Sequence, residues 1–524
     1  MKLLRSTAIV SAMTLLSRVL GFLRDLVFAQ KFGASLATDA FYVAFRIPNF
    51  MRRLFAEGSF SLAFVPVLAE YKKRGDPKEL RDFVDHVCGT LAAILLIVVA
   101  IGLFAAPMLV ALFAPGFLDK PEKFQLTADM LRITFPYILL ISLAGFAGGI
   151  LNSFSRFALP ALSPVLLNLS LIAAAIWLAP HFAEPVKALA WGVFAGGVLQ
   201  LLLQVPGLMR LGLLPRPRWG WHDSGVRKVL KLMIPTLFGS SVAQVNLLID
   251  TLIASFLMTG SVTWLYYTDR LLEFPLGIFG VALGTVILPH LSSKHAADDP
   301  DGFTASVDWG LRLGLFIALP AALMLILLAE PMFWTLFGYG RFSALDAQMS
   351  SLSLAALSLG LPAFIAVKVL APAFYARQDT ATPVKAGIAS MLSNMVMNAI
   401  FVGIWLWFEL PGAHAGLTLS SALAGYINMG LLLLWLKRSG NYRPASGWRR
   451  YALSLCLASL ATALVLWWLP RQLPALPSLS APWRLGWLTL VVAAAGSVYL
   501  LTAFAAGLRP RHLRDRSPIS PNML

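Results

Sequence analysis

Long apolar segments, separated by short polar connections, run through almost the whole chain. A helix that crosses a lipid bilayer needs about 20 mainly apolar residues. The connections are too short to hold a soluble catalytic domain, so the pattern predicts an all-α polytopic membrane protein. The fourteen predicted spans are 7–32, 36–70, 83–113, 126–154, 158–180, 186–209, 227–258, 262–292, 306–330, 347–376, 383–408, 413–437, 450–470 and 484–508.

The composition agrees with a chain whose main solvent is lipid. Of its 524 residues, 58% are hydrophobic and 13% are charged, whereas soluble domains carry about 25% charged residues. Two cysteines exclude a disulfide framework. In a membrane protein, a net charge of +17 indicates basic cytoplasmic loops and contact with anionic lipid, and no nucleic-acid partner is expected.

The distribution of basic residues predicts the orientation. The first apolar stretch is too long and too charged for a cleavable signal peptide, so we expect it to stay as the first span. With the N-terminus in the cytoplasm, the cytoplasmic segments hold 27 of the 42 Lys and Arg residues, the opposite side 7 and the spans 8. This bias predicts that both termini are cytoplasmic. The longest polar connection, 210–231, carries Trp219 and Trp221 and is predicted to lie at the membrane surface as an amphipathic segment.

Charged residues inside the predicted spans are the unusual feature of the chain. A charge at the bilayer centre costs at least about 2.5–3.5 kcal/mol on insertion scales, so it is rare without a functional reason. The basic residues outnumber the nearby acids, which favours a water-filled cavity lined by guanidinium groups. The planar guanidinium binds phosphate or carboxylate through two hydrogen bonds, so a cluster of them suits a pyrophosphate. The charged residues are Arg18, Arg24 and Asp25 in the first span, Asp39, Arg46, Arg52, Arg53 and Glu57 in the second, Asp250 in the seventh, Asp269, Arg270 and Glu273 in the eighth, and Lys368 in the tenth.

Helical spacing predicts ion pairs for only some of these residues. Side chains three or four positions apart lie on one face of a helix and can pair. Arg270 has Glu273 at three positions, and Arg132 has Asp129. The remaining basic residues are expected to find partners on other helices or to face the cavity. The third spaced pair is Arg53 with Glu57, and the basic residues without an acid at either spacing are Arg18, Arg24, Arg46, Arg52 and Lys368.

Residues that interrupt helices accompany the charges. Gly21 lies between Arg18 and Arg24, Pro48 follows Arg46, and Pro275 follows Glu273. Proline removes a backbone hydrogen bond and kinks or breaks a helix. Broken helices at membrane depth line cavities in transporters. The three positions therefore predict three helix breaks beside the charge clusters.

A weak internal repeat predicts two related halves. At offsets of 223–225 positions, several residues of the second span coincide with residues of the eighth, among them Arg46 with Arg270. Duplicated halves with the site between them are typical of alternating-access transporters. The predicted division is an N-terminal lobe of six spans over 1–219, a C-terminal lobe of six spans over 220–440, and two further spans with a basic tail over 441–524.

Three blocks of the sequence resemble those of a known family. They are SRVLGFLRDLVFAQKFGAS with TDAFYVAFRIPNFMRRLFAEGSF, then YYTDRLLEFPLGIFGVALGTVILPHLS, and FYARQDTATPV. Over essentially its whole length, the chain resembles the MurJ/MviN family of lipid II flippases. The resemblance implies transport of lipid II, an undecaprenyl-pyrophosphate-linked disaccharide pentapeptide, from the inner to the outer leaflet of the bacterial cytoplasmic membrane for peptidoglycan synthesis.

The same resemblance implies a fold and a set of site residues. Members have two six-helix lobes around a central cationic cavity, and their last two spans form a groove for the polyprenyl tail. Our hypothesis for the mechanism is that Arg24, Arg52 and Arg270 bind the pyrophosphate, while Arg18 and Arg53 help focus the electrostatic field and bind peptide carboxylates. The full set of implied or neighbouring substrate-binding residues is Arg18, Arg24, Asp25, Asp39, Asn49, Arg52, Arg53, Glu57, Arg270, Glu273 and Lys368.

The resemblance also raises a sodium site. Some members bind sodium through an Asp on span seven and an Asn/Asp pair on span eleven. The residues here are Asp250, Asn394 and Asn398, so an amide replaces the second acid and one ligand charge is missing. A hydrogen bond between helices is the alternative role for the two Asn residues. No cofactor is expected, and transport is expected to be coupled to the membrane potential or to a monovalent cation.

Four other functions stay open at this level. A flippase for another polyprenyl-pyrophosphate glycan would need the same arginines. A multidrug antiporter of the multidrug/oligosaccharidyl-lipid/polysaccharide exporter superfamily fits a cationic cavity poorly. A membrane enzyme acting on a prenyl pyrophosphate would need a catalytic motif, and HExxH, P-loop and GxSxG sequences are absent from the chain. A scaffold for the cell-wall synthesis proteins, which are expected partners beside lipid II and the bilayer, would not need arginines inside the membrane.

Overall fold

The computed structural model describes residues 2–52 and 60–509, with side chains described except at 2–8, 61–62 and 234–245. The regular structure of these residues is helical. The α-helices are α1 (Lys2–Phe32), α2 (Leu36–Arg52), α3 (Ser61–Arg74), α4 (Pro77–Phe104), α5 (Ala106–Phe113), α6 (Pro121–Thr134), α7 (Tyr137–Ser153), α8 (Ala158–Ala173), α9 (Lys187–Leu211), α10 (Ser224–Ser255), α11 (Ser261–Pro275), α12 (Val281–Ala296), α13 (Pro300–Leu327), α14 (Ala329–Leu336), α15 (Ala344–Ser358), α16 (Leu361–Tyr375), α17 (Ala381–Trp407), α18 (His414–Arg438), α19 (Trp448–Gln472) and α20 (Ala481–Ala505).

The helices coincide with the predicted spans. Ten helical segments of the described chain are long and apolar enough to cross a membrane, and the bent pair α15–α16 makes an eleventh if it is one span. The other three predicted spans, 7–32, 36–70 and 227–258, coincide with α1, with α2 and α3, and with α10. Charged residues lower the hydropathy of α1 and α2, and the described apolar part of α10 is the short stretch Asn246–Ser255. The prediction of an all-α polytopic protein is confirmed, and the count of fourteen stays a prediction.

The chain forms two compact units. The first comprises Met1–Thr263 with Gly340–Phe342, and the second comprises Trp264–Tyr339 with Ser343–Leu524. In the first unit, α1 packs on α8, α7 on α9, and α2 on α6. In the second unit, α13 packs on α16, and α18 packs on α15 and α17. The division after 219 and after 440, drawn from the order of the spans, stays a prediction.

None of the three predicted positions separates two helices, and one of them, Pro275, marks a change of helix type inside the continuous segment Ser261–Ala296. α11 ends at Pro275, and the π-helical turn Leu276–Gly280 leads into α12. The prediction was wrong for Gly21 and Pro48, because α1 and α2 continue through them. Neighbouring helices can satisfy the backbone groups that a proline frees inside a membrane protein. Gly21 instead allows a close contact between helices, described below.

The polar connection 210–231 is helical only at its two ends, and its position at the membrane surface stays a prediction. α9 ends at Leu211, α10 begins at Ser224, and the residues between them lie along α4. The backbone nitrogen of Arg216 donates to the Asp85 carboxylate at 2.8 Å, and the nitrogen of Gly220 donates to the Thr90 hydroxyl at 3.0 Å. The rings of Trp219 and Trp221 are exposed and stack on each other. Backbone hydrogen bonds to α4 have therefore replaced those of a helix.

The last two helices are fastened to the rest of the second unit by several polar contacts, of which two groups stand out. Before α19, the buried carboxylate of Asp308 on α13 accepts hydrogen bonds from Tyr442 at 3.0 Å and Trp448 at 2.6 Å, and pairs with Arg312 at 2.8 Å. At the start of α20, the guanidinium of Arg484 donates to four backbone carbonyls, of Trp334, Gly338, Pro477 and Leu479. The predicted lipid-tail helices are thus held by polar contacts at their ends, while large apolar residues along their length stay exposed.

Candidate functional site

Arg24 is held between an acid on its own helix and an amide on another. Its Nε and Nη2 donate to Oδ1 of Asp25 at 3.0 and 2.7 Å, and its Nη1 donates to Oδ1 of Asn168 on α8 at 3.1 Å. Arg24 is 5% exposed and Asp25 is fully buried. The desolvation cost of burying this pair is offset, because the two charges compensate each other and form hydrogen bonds. The partner of Arg24 is one position away, a spacing that the helical-face rule excludes.

Gly21 lies at this contact between α1 and α8, where there is room for a small residue. A β-carbon at Gly21 would lie 3.5 Å from Nδ2 of Asn168 and 3.8 Å from its Oδ1. The Nδ2 group donates to the carbonyl of Ser17 at 3.1 Å, one turn before Gly21. Small residues at helix interfaces in membranes allow such close approach. Asn168 therefore binds both the backbone of α1 and the guanidinium of Arg24.

Arg52, at the end of α2, is also oriented by a neutral amide. Its Nε and Nη2 donate to Oδ1 of Asn49 at 2.9 and 2.7 Å, one turn earlier on the same helix. Arg52 lines a cavity of about 450 Å³ inside the first unit, together with Asn168. Arg46 lies half-buried and donates to the hydroxyl of Thr251 on α10. Arg52 therefore lines this cavity directly, and Arg24 is hydrogen-bonded to Asn168, which also lines it.

Asp39 has a full set of protein partners. Its Oδ2 pairs with Lys123 of α6 at 2.7 Å and accepts from the Gly260 nitrogen at 2.8 Å. Its Oδ1 accepts from the nitrogen and the hydroxyl of Thr263, at 3.0 and 2.7 Å. The carboxylate therefore caps the first turn of α11, where a negative charge is favourable. These contacts account for Asp39 as a structural residue, and its role in substrate binding stays a prediction.

In the second unit, Arg270 is held by its own helix. Its Nη1 pairs with Glu273 at 3.1 Å, as the spacing predicted. Its Nε and Nη2 donate to the hydroxyl of Tyr266 at 3.2 and 3.0 Å, and its guanidinium lies over the Tyr266 ring at 5.2 Å. Lys368 of α16 is exposed and lies beside Gly280, where a β-carbon would come within 3.6 Å of its Cγ.

The residues of the predicted sodium site lie in both units. Asp250 is on α10, in the first unit, and the two Asn residues are on α17, in the second. Asn394 and Asn398 are buried, and Oδ1 of Asn398 accepts a hydrogen bond from Ser420 of α18 at 2.5 Å. Within the described chain, no three His, Cys, Asp or Glu side chains cluster as metal ligands would. These contacts suit hydrogen bonding between α17 and α18, and sodium binding stays a prediction.

Three further predicted positions complete the set. Arg18 is exposed on α1. Arg53 and Glu57 lie outside the described residues. The predicted pair of Arg132 with Asp129 is confirmed at 3.0 Å.

Sequence reasoning missed three polar residues that orient the charged ones. They are Asn168, Lys123 and Tyr266, the partners of Arg24, Asp39 and Arg270. For Asn168 a signal was available, because an Asn in a span as apolar as 158–180 usually forms a hydrogen bond to another helix. The identity of its partner depends on which helices are neighbours, which hydropathy does not report.

The model of one known protein family matches most of the chain. Residues 28–483 match the model of the family described as "Lipid II flippase MurJ". The chain belongs to the lipid II flippase MurJ family. As a family member it is a multi-pass membrane protein, as its apolar helices also indicate. The resemblance given by the N-terminal motifs is thereby confirmed.

Curated relatives and solved structures support the assignment. The "Probable lipid II flippase MurJ" of Vibrio cholerae is 48% identical over 474 residues, 89% of each chain. The "Lipid II flippase MurJ" of Burkholderia cenocepacia is 46% identical over 89% of this chain and 90% of its own length. A solved "Lipid II flippase MurJ, inward closed conformation" superposes with a TM-score of 0.79 at 27% identity, covering 95% of this chain and 98% of that one.

A more distant likeness concerns the fold alone. A multidrug resistance transporter described as a MATE family member of the MOP superfamily, in an inward-facing conformation, gives a TM-score of 0.65 at 13% identity. It covers 81% of this chain and 95% of its own chain. This MurJ family member therefore shares its helical architecture with drug exporters, and its chemistry must be argued from its own side chains.

Proposed function

We propose that the protein is a transporter that flips lipid II from the inner to the outer leaflet of the bacterial cytoplasmic membrane. The proposal rests on membership of the MurJ family and on the arginines carried by its spanning helices. Both termini are proposed to be cytoplasmic, from the bias of basic residues. The lipid headgroup crosses through a cavity that opens to one side at a time, while the polyprenyl tail stays in lipid beside α19 and α20.

One observation carries the substrate assignment. Each of the three arginines expected to grip the pyrophosphate donates to a neutral oxygen, Arg24 to Asn168, Arg52 to Asn49 and Arg270 to Tyr266. A neutral acceptor orients a guanidinium without cancelling its charge. Phosphate forms a charge-assisted hydrogen bond of about twice the strength of a neutral one. A pyrophosphate can therefore replace these oxygens as the acceptor, whereas an organic cation would be repelled by the guanidinium groups.

The acids beside the arginines set the strength of binding. Asp25 pairs with Arg24, and Glu273 pairs with Arg270. A guanidinium has five N–H donors, so it can bind a phosphate oxygen and keep its acid. Partial compensation of charge also suits a transporter, which must release its substrate after carrying it. A flippase for another polyprenyl-pyrophosphate glycan would use the same contacts, so the lipid itself must be identified by experiment.

The membrane potential is proposed to bias the cycle. Moving one elementary charge across the membrane is worth about 2.3 kcal/mol per 100 mV. Lipid II carries negative charge on its pyrophosphate, and the cavity carries positive charge on its arginines. The net charge that moves with each conformational change therefore decides how strongly the potential drives transport.

The test is depletion of the protein in its own cells, followed by complementation. Radiolabelled polyprenyl-linked precursors are measured in each leaflet, with wild type, Arg24→Ala or Arg132→Ala supplied back. Arg132 is the matched control, because it is an arginine of a membrane helix whose pair with Asp129 is partly exposed. We expect lipid II to stay in the inner leaflet on depletion, and to reach the outer leaflet with wild type and Arg132→Ala only.

Three results would contradict the proposal or a part of it. If another glycan lipid accumulates while lipid II is still exported, the protein is a flippase with a different substrate. If no lipid-linked precursor changes its leaflet, the flippase assignment fails. Normal transport by a well-expressed Arg24→Ala protein would remove Arg24 from the mechanism.

A further inference from the structure

The first unit contains a cavity whose polar wall is made mainly of neutral groups. Its volume of about 450 Å³ lies within the usual range for ligand pockets, about 300–1,000 Å³. Besides Arg52, the polar lining comes from Tyr137, Asn152, Ser163, Asn168, Gln200 and Gln204. None of the described residues that line it is acidic. The wall therefore suits a ligand that is neutral or anionic and disfavours a cation.

Two glutamines of α9 differ in their hydrogen bonding. Gln200 is satisfied, because its Nε2 donates to the Ser163 carbonyl at 3.1 Å and its Oε1 accepts from the Tyr137 hydroxyl at 3.2 Å. Gln204 lies one turn later on the same face and is 1% exposed. Its Oε1 is buried and has no hydrogen-bond partner among the described residues. A buried acceptor without a partner costs about 1–3 kcal/mol, so a rotation of the Gln204 amide toward a ligand that donates to it would gain that contact.

The cavity is connected to the proposed phosphate site. Arg52 lines it directly, and Asn168, the amide that binds Arg24, lines it as well. A group that is covalently attached to a phosphate at Arg52 would therefore enter a space lined by amides and hydroxyls. Such groups both donate and accept hydrogen bonds, as sugar hydroxyls do. Peptide carboxylates would require more positive charge than the one arginine in this lining.

We infer that this cavity is a subsite for the sugar next to the pyrophosphate, with Gln204 as a hydrogen-bond acceptor for a sugar hydroxyl. This inference rests on the proposed function, because it takes a glycosylated polyprenyl pyrophosphate as the substrate. It adds a basis for selectivity, since a lipid that lacks the sugar would leave the Gln204 oxygen without a donor. A site built to pair with a hydroxyl discriminates strongly against an analogue without one.

The test compares three lipids with the purified full-length protein in lipid nanodiscs. The probes are undecaprenyl pyrophosphate, the same lipid with the disaccharide, and the same lipid with the disaccharide pentapeptide. The variants are Gln204→Leu and Gly148→Ala. Gly148 lines the cavity, and a β-carbon there would meet Pro160 at 3.4 Å, so alanine fits while narrowing the space. Gln125→Leu, a glutamine exposed on α6, is the matched control.

We expect Gln204→Leu to weaken binding of both disaccharide lipids by about threefold to tenfold, the size of one hydrogen bond. Binding of undecaprenyl pyrophosphate should be unchanged, and Gln125→Leu should bind all three lipids like wild type. Thermal unfolding of Gln204→Leu should not be lowered, because the substitution removes an unpaired buried oxygen. Gly148→Ala should reproduce the selective loss by a different route.

Three results would overturn the inference. The first is wild-type affinity for the disaccharide lipids in both Gln204→Leu and Gly148→Ala. The second is an equal loss for lipids with and without the disaccharide. The third is a loss confined to the pentapeptide lipid, which would assign the cavity to the peptide. If wild type binds none of the three lipids, the proposed function fails together with the subsite.

Discussion

Oδ1 of Asn168 on α8 accepts a hydrogen bond from Nη1 of Arg24 on α1 at 3.1 Å. The other end of the same amide donates to the Ser17 carbonyl, two turns before Arg24. Asn168 thus sets the orientation of the guanidinium relative to the backbone that carries it. Because the amide is neutral, it orients Arg24 without adding to the negative charge that Asp25 supplies.

Replacing this amide with an acid should stop transport without unfolding the protein. In Asn168→Asp, Arg24 would lie between two carboxylates, which compete with phosphate for its N–H groups. We expect no complementation in depleted cells and a melting temperature close to that of wild type, because the stronger contact with Arg24 offsets the lost donation to the Ser17 carbonyl. Asn441→Asp, between α18 and α19, is the control for adding an acid. Full complementation by Asn168→Asp would show that transport does not require Arg24 to exchange the side chain at position 168 for phosphate.

The space at Gly21 should limit which residues the α1–α8 contact accepts. Gly21→Ala should be tolerated, since its β-carbon would lie in ordinary contact with Asn168 at 3.5 Å. Gly21→Leu should separate the helices and lower the free energy of unfolding by about 1–3 kcal/mol, as overpacking does. Thermal unfolding in detergent measures the effect. Gly387→Leu is the control, because nothing lies within 4 Å of a β-carbon there. Equal stability of Gly21→Leu and Gly387→Leu would contradict the contact.

Substituting only one partner of the ion pair between Asp39 and Lys123 should strongly lower the stability of the protein. Both side chains are almost fully buried, so Asp39→Asn would leave an uncompensated ammonium and lose about 3–5 kcal/mol of stability. Adding Lys123→Met should recover part of that loss. Asp129→Asn is the control, since the partly exposed pair with Arg132 is worth about 1 kcal/mol or less. Chemical unfolding followed by fluorescence measures all three, and a small effect of Asp39→Asn would argue against a buried charged pair.

Arg484 should be necessary for the position of α20. Lysine cannot reproduce a guanidinium that donates to four backbone carbonyls, since it has a single nitrogen. We expect Arg484→Lys to accelerate proteolysis in the connection between α19 and α20. Arg471→Lys, at an exposed arginine of α19, should leave the rate unchanged. The same cleavage rate in both variants would show that other contacts hold α20.

Asp379, between α16 and α17, should make stability depend on pH. Hydrogen bonds from the hydroxyl and the backbone nitrogen of Thr382, at 2.6 and 2.9 Å, lower the pKa of the Asp379 carboxyl. A lowered pKa in the folded state means that the contribution to stability is present above the unfolded pKa and is lost as the pH falls through the folded one. Asp379→Ala should therefore melt below wild type at neutral pH, and the difference should shrink in acid. A difference that is independent of pH would contradict the assignment.

The sequence correctly predicted features that depend only on residues close to each other in the chain, namely ion pairs within a helix and the positions of the apolar helices. The pairs Arg270–Glu273 and Arg132–Asp129 form as predicted, because residues three positions apart share a helix face in any tertiary structure. The positions of the apolar helices were predicted for the same kind of reason, since hydropathy is a property of consecutive residues. The pair of Arg24 with Asp25 was not predicted, because adjacent residues do not share a helix face.

Gly21 illustrates where the local argument fails. A glycine inside a span was predicted to break α1, yet the helix continues and the missing side chain admits Asn168 instead. Flexibility and small size are both properties of glycine, and the sequence does not say which of them is used. The answer depends on whether another helix lies against that face.

By itself, the sequence determined the all-helical membrane architecture, the family and the identity of the arginines, because hydropathy and motifs are carried by consecutive residues. Only the tertiary structure decided which oxygen holds each arginine and that Asp39 is engaged by Lys123 and the first turn of α11. It also decided that Gln204, whose side-chain oxygen has no partner among the described residues, lines a cavity. The physical reason is that hydrogen bonds extend over about 3 Å. Residues 144 or 84 positions apart come within that distance only after the helices have packed.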